Sequence, residues 1–181
     1  MKFISAFILR LLGWKIIGDV DKSLKKYVMI IAPHTSFMDF IIGRLAFNVL
    51  NIKVKFLIKK EFFFFPLGYI VKTLGGLPVD RSKSSNLVSQ VTRLFDNNKK
   101  LAVAITPEGT RKLNKHWKKG FYFIALKAGV PIIPGYLDYK HKIAGIGEQM
   151  QPSGNFEKDF AILKEFYKGR NARYPENYNL S

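Results

Sequence analysis

Hydrophobic positions fall along this chain in two alternating patterns. Short apolar runs occupy 27–32, 54–58, 76–80, 101–106 and 131–138. Runs of this length, rich in β-branched residues and bounded by turn or charged residues, predict strands, and their near-continuous apolarity suits strands covered on both faces. Between them, apolar residues recur at helical spacing over 37–50, 84–97 and 118–128, which predicts amphipathic helices. A last helix is expected over 157–167, followed by a polar tail expected to fray. Strands alternating with helices imply one α/β domain with a mainly parallel central sheet flanked by helices. In such sheets ligands sit beyond the carboxyl ends of the strands. No repeat, long linker or low-complexity tract interrupts the pattern.

Two segments depart from it. Residues 1–18 are apolar and aromatic but carry Lys2, Arg10 and Lys15. Arg10 splits the run that a signal peptide needs, and a spanning helix needs about 20 mainly apolar residues. An interfacial helix fits better, with apolar side chains in the lipid and cations among the head groups; residues 19–181 would then form the α/β domain. The second segment, 61–69, contains Phe62, Phe63, Phe64 and Phe65 in succession. Four consecutive Phe cannot all face one core, so some meet a membrane or an acyl chain, or else they seal a buried corner.

Length and composition narrow the function. The 181 residues suit a single domain with one site. Lys and Arg number 30 against 13 Asp and Glu, a formal net charge of +17, and that field attracts polyanions. No zinc-finger spacing, basic zipper or aromatic RNA-binding signature is present, so anionic lipid or a phosphorylated substrate is expected and nucleic acid is not. Cysteine is absent, which excludes disulfides and a thiol nucleophile. The three histidines, His34, His116 and His141, have no pairing that suggests a metal site.

Candidate chemistry clusters where three predicted strands end. Ala32-Pro33-His34-Thr35-Ser36-Phe37-Met38-Asp39 lies between a strand and a helix. If the Asp39 carboxylate folds back onto one imidazole nitrogen, it fixes the tautomer and leaves the other nitrogen free to take a proton. Asp39 also reads as a helix cap, with His34 an ordinary loop residue, and on this segment alone both readings stand. Thr106-Pro107-Glu108-Gly109-Thr110-Arg111 follows another strand. There Gly109 permits close backbone approach, Thr110 offers a hydroxyl, and Arg111 offers a fork of donors suited to phosphate. Gly75-Gly76-Leu77-Pro78-Val79-Asp80-Arg81 places a further Arg past a third strand. Ser36 lacks the Gly-x-Ser-x-Gly elbow of an attacking serine. Any oxyanion formed is expected to find backbone amides near His34 or Gly109. The cationic runs Lys53-x-Lys55, Lys59-Lys60 and 112–119 suit anionic lipid, the phosphates of CoA, an acidic carrier protein or plain solvation.

His34-x4-Asp39, the segment ending at Arg81, Pro107-Glu108-Gly109-Thr110-Arg111 and Val130-Pro131-Ile132-Ile133-Pro134 stand in the order and at about the spacing found in the glycerolipid acyltransferases. Over roughly 26–136 the chain resembles the 1-acyl-glycerol-3-phosphate acyltransferases. It departs from them in Pro33, where Asn is common, and in Pro78, where a large apolar residue is common. The resemblance implies His34 as general base oriented by Asp39, and Arg81, Glu108, Gly109, Thr110 and Arg111 as binders of the acceptor's phosphate. It further implies an apolar wall from the Val-Pro-x-x-Pro segment and a two-helix N-terminal docking element, of which 1–18 would be the main piece. The implied reaction moves a fatty acyl group from acyl-CoA or acyl-carrier protein to the hydroxyl of a lysophospholipid, with no cofactor or metal. A peripheral or monotopic protein on the cytoplasmic face of a membrane is expected. The same machinery acting on an aminoacyl lipid, an ether lysolipid or a glycolipid precursor is the nearest alternative. A non-catalytic basic module that binds membrane or nucleic acid is the more distant one.

Overall fold

The computed structural model describes residues 1–80 and 84–180, the side chains of 84–86 excepted. In chain order the elements are α1 (Lys2–Leu11), β1 (Lys15–Ile17), β2 (Lys26–Ile31), α2 (Met38–Leu50), β3 (Val54–Lys59), α3 (Leu67–Thr73) and β4 (Gly76–Val79). There follow α4 (Ser84–Asn97), β5 (Leu101–Ile105), α5 (Gly120–Ala128), β6 (Ile132–Asp138), β7 (Ile143–Ile146) and α6 (Phe156–Tyr167). The strands form one sheet in the order β1-β7-β6-β2-β5-β3-β4. From β6 to β4 every pairing is parallel, while β7 runs antiparallel to β6 and carries β1 parallel to itself. This is the mainly parallel sheet expected from the alternating pattern, extended by a reversed edge.

The apolar runs are near-continuous because both sheet faces are covered. Val28 and Ile30 of β2 point to one face, where they join Val103, Ile132, Phe121 and Ile124 in the largest core cluster. Tyr27 and Met29 point to the other and pack with Ala102, Ile133 and Phe47. A fully buried side chain such as Ile30 contributes about 1.5–3 kcal/mol through burial. The register, with Val28 opposite Ile132 and Val28 opposite Val103, brings β2, β5 and β6 to the same edge. Their carboxyl ends therefore deliver residues 32–37, 106–111 and 139 side by side.

Two expectations are corrected. The helix expected over 1–18 ends at Leu11: Gly13 adopts φ 76°, its N–H bonds the Arg10 carbonyl, and the Trp14 N–H bonds the Leu9 carbonyl at 2.8 Å. A glycine in the left-handed region with these two bonds is a Schellman stop. Trp14 is then buried with Leu9, Ile42 and Leu137, and 15–17 joins the sheet. The tail expected to fray instead crosses the edge formed by the carboxyl ends of β2 and β6. The Asn171 carbonyl accepts from Tyr139 N–H at 2.9 Å, Thr35 Oγ1 accepts from Tyr174 N–H at 3.2 Å, and the Asn179 carbonyl accepts from Trp117 Nε1 at 3.0 Å. Hydropathy hides this because it does not register backbone bonds, and Tyr178 and Leu180 add packing against the core.

Candidate active site

Asp39 lies in the first turn of α2 and is 4% exposed. Its Oδ2 accepts from the N–H groups of Thr35 and Ser36, each at 2.8 Å, and lies 3.2 Å from His34 Nδ1. One carboxylate oxygen therefore holds the entry to the helix and also engages the imidazole. With Nδ1 turned to Asp39, Nε2 is the nitrogen left for a substrate. The other carboxylate oxygen, Oδ1, accepts from the Tyr139 hydroxyl at 2.6 Å. Burial alone would raise the Asp39 carboxyl, but hydrogen bonds from His34, Tyr139 and Ser36 outweigh it and hold the group below the usual aspartate value.

Tyr139 was not singled out by the sequence. It is the first residue past β6, so the rule that functional groups follow strand ends could have found it. Its ring stands edge-on to Trp14 at 5.1 Å, which fixes the hydroxyl by packing from the N-terminal corner. Burial, followed by the Asp39 carboxylate, pushes its phenol well above the ordinary value, so it stays a donor.

The loop after β5 is tied to the loop after β2 through Glu108. This side chain is 2% exposed, and its Oε1 accepts from the His34 backbone N–H at 3.0 Å. Among the described residues Oε2 is buried without a hydrogen-bond partner. Burial pushes the carboxyl up to about 7, partly offset by the His34 N–H. The folded protein thus holds a proton on Glu108 that the unfolded chain releases from about pH 4.5. Stability from this group is complete below that value and is lost as pH rises towards 7. Glu108→Gln cannot titrate. From about pH 4 to about pH 8 the difference in unfolding free energy is expected to move by about 3 kcal/mol in the variant's favour. Urea unfolding at the two pH values measures it, and a pH-independent difference would mean that the carboxyl titrates as it does in the unfolded chain.

Gly109 adopts φ 68°, and a Cβ there would lie 2.8 Å from Lys118 Nζ. The lysine side chain crosses directly over the glycine, anchored by its backbone N–H to the Pro107 carbonyl at 2.8 Å. His34, Asp39, Gly109, Arg111 and Lys118 line one cavity of about 550 Å³. The cavity continues between apolar walls that include Phe40, Phe47, Phe56, Leu57, Leu87 and Ile124. Its size and mixed lining suit a ligand with an anionic head and an apolar body. Lys118, read in the sequence as one of a run of cations, is the second residue missed.

The other site candidates are placed differently. Thr110 is exposed, and its Oγ1 accepts from Lys112 N–H at 3.2 Å, closing its own turn. Glu108 faces inward, as described, and Arg81 lies outside the described residues. Of the amides near His34 and Gly109, four are engaged within the loops themselves. The N–H groups of His34, Thr35 and Ser36 are taken by Glu108 and Asp39, and that of Gly109 by the Thr106 carbonyl. An amide already donating in a tight turn has no second hydrogen to offer. Among the described residues no group of three or more His, Asp or Glu is arranged to hold a metal ion, and no helix is long and apolar enough to cross a membrane.

Residues 16–138 match the family model described as Acyltransferase. The chain is 30% identical over 128 residues to a 1-acyl-sn-glycerol-3-phosphate acyltransferase of Saccharomyces cerevisiae, covering 66% of this chain and 41% of that protein. It is 32% identical over 112 residues to the human 1-acyl-sn-glycerol-3-phosphate acyltransferase beta, covering 59% and 39%. The chain thus spans about two fifths of the length of these curated relatives. Its fold is like that of the crystal structure of the 1-acyl-sn-glycerophosphate acyltransferase from Thermotoga maritima, with a TM-score of 0.65 and 19% identity. That likeness covers 92% of this chain and 75% of the other.

Proposed function

Since the chain belongs to the acyltransferase family, we propose that it transfers a fatty acyl group from a thioester, acyl-CoA or acyl-carrier protein, to the free hydroxyl of 1-acyl-glycerol-3-phosphate. The observation that carries this reading is His34 Nδ1 at 3.2 Å from a buried Asp39 on the wall of an amphipathic cavity. His34 Nε2 takes the acceptor's proton as its oxygen attacks the thioester carbonyl. The tetrahedral intermediate then collapses, expelling the thiolate, which takes the proton back from His34 Nε2 and leaves as the thiol. Asp39 stabilises the imidazolium that exists between these steps. No acyl-enzyme forms. Arg44, Arg111 and Lys118 are charged donors on the cavity wall; Arg111 and Lys118, in the segment after β5, hold the acceptor's phosphate and offset the developing oxyanion. Arg81 is assigned to the same phosphate on the family's pattern alone. Glu108 holds the His34 backbone, Gly109 lets Lys118 cross it, and Thr110 shapes the turn that carries Arg111.

The protein attaches peripherally to a membrane, on the cytoplasmic face where thioester donors are made. Helix α1 supports this: Ser5 and Leu9 face the protein, while Phe3, Ile4, Phe7 and Leu11 are exposed beside Lys2 and Arg10.

The test is a panel of acceptors with labelled acyl thioesters, read by mass spectrometry. Lysophosphatidate is expected to be acylated in preference to monoacylglycerol, an ether lysolipid or an aminoacyl lipid. Arg111→Gln should raise KM for the phosphate-bearing acceptor by about ten- to a hundredfold, with a smaller change in kcat. Equal use of acceptors with and without phosphate would overturn the assignment of substrate. A salt-dependent oligonucleotide shift without acyl transfer would favour a binding module.

A further inference from the structure

The aromatic block after β3 does not seal a buried corner. A 3-10 turn, Lys60–Phe62, leads into Phe63, Phe64, Phe65 and Pro66 and then α3. Phe65 is 92% exposed and Tyr69 75%, while Phe62, Phe64, Ile70 and Leu74 are each between 44% and 59%. Contiguous exposure of this kind is unusual on a surface that meets only water. The block is held rigidly in that attitude. The Gly68 N–H bonds the Phe64 carbonyl at 2.6 Å, and a Cβ at Gly68 would lie 2.6 Å from the Phe63 carbonyl carbon. Phe63 is half-buried by this close approach, so its neighbours are turned outward. On α3, Tyr69, Ile70 and Leu74 share the outward face, at positions where a water-facing helix would carry polar residues.

We propose that Phe62, Phe64, Phe65, Tyr69, Ile70 and Leu74 form a second lipid-docking crest, separate from α1, that sets the cavity mouth against a bilayer. Three observations select lipid as the occupant. Exposed lysines flank the aromatics, Lys59 and Lys60 before them, the latter paired with Asp80 at 2.8 Å, and Lys72 after them, the pattern of a surface that buries apolar groups at the head-group boundary while its cations meet phosphates. The crest begins just past the cavity wall, since Phe56 and Leu57 of the same strand line the cavity. The sheet order places β2 and β5, which carry the site loops, between the crest on β3 and β4 and the β1 edge that follows α1. Two docking points flanking the mouth would hold it down, whereas one would leave it free to tilt. This inference rests on the reading of the chain as an enzyme of lipid acceptors, but vesicle binding is measured without turnover, so the two can fail separately.

The test measures partitioning of the full chain onto vesicles of mixed zwitterionic and anionic phospholipid. The proteins compared are wild type, Phe64→Ser/Phe65→Ser and, as the α1 arm, Phe3→Ser/Phe7→Ser. The crest variant is expected to lose roughly tenfold in partition coefficient while keeping the wild-type unfolding midpoint. Its acyl transfer to a short-chain, water-soluble acceptor should be unchanged. Unchanged partitioning of the folded crest variant, with loss only in the α1 arm, would overturn the proposal. So would wild-type protein that self-associates through the crest, detected as a dimer by sedimentation that the crest substitutions dissociate while vesicle binding stays the same.

Discussion

Replacing His34 by alanine is expected to lower acyl transfer by about 10²- to 10⁴-fold. The expectation comes from where His34 spends its bonds. Its fold-holding contact is the backbone N–H to Glu108, which alanine retains, and its side chain is 21% exposed. The variant should therefore fold and bind substrates, and the loss should fall on kcat with KM little changed. What disappears is the proton acceptor at the one point where two loops and the cavity meet. Steady-state kinetics on folded protein measures the split, and a loss confined to KM would make His34 a binding residue.

Asp39→Asn is expected to cost about 10²- to 10⁴-fold in kcat, together with a smaller loss of stability. Three donors converge on Oδ2: Thr35 N–H, Ser36 N–H and His34 Nδ1. The Asn carbonyl oxygen must take that place, which turns its amide NH₂ towards the Tyr139 hydroxyl, a group able to accept. The loop survives, but the negative charge that supports an imidazolium is gone. Weakening these charge-assisted bonds costs about 1–3 kcal/mol. The pH dependence separates this from simple damage. The native hydrogen bonds hold the Asp39 carboxyl below its ordinary 3.8, so its contribution is complete at neutral pH and is lost only as pH falls through that lowered value. The Asn variant lacks this acid-side loss, and chemical denaturation across the acid range records it.

The centre of the fold was readable from the sequence because both faces of its strands are covered. A run such as 101–105 is apolar throughout and admits few other readings. The reversed edge was not readable. β1 is three residues long, and β7 contains only Ile143, Ala144, Gly145 and Ile146, so neither carries the length that marks a strand. Helix α3 was hidden inside an aromatic block whose apolar face points outward, which inverts the pattern used to find helices. At the site, His34, Asp39 and Arg111 were found because each follows a strand. Tyr139 also follows a strand but reaches the site through a contact with a residue 100 positions earlier, and Lys118, at the entry to α5, reaches it across a glycine. No local pattern records such contacts.

The most direct measurement mixes the protein with lysophosphatidate vesicles and an isotopically labelled acyl thioester, and follows product and released thiol together, for wild type and His34→Ala in parallel. Wild type should form the diacyl product with one thiol released for each, and the folded alanine variant should do so about 10²- to 10⁴-fold more slowly. Wild-type turnover by that variant, or a stable acyl adduct on the protein, would contradict direct attack by an acceptor that His34 deprotonates.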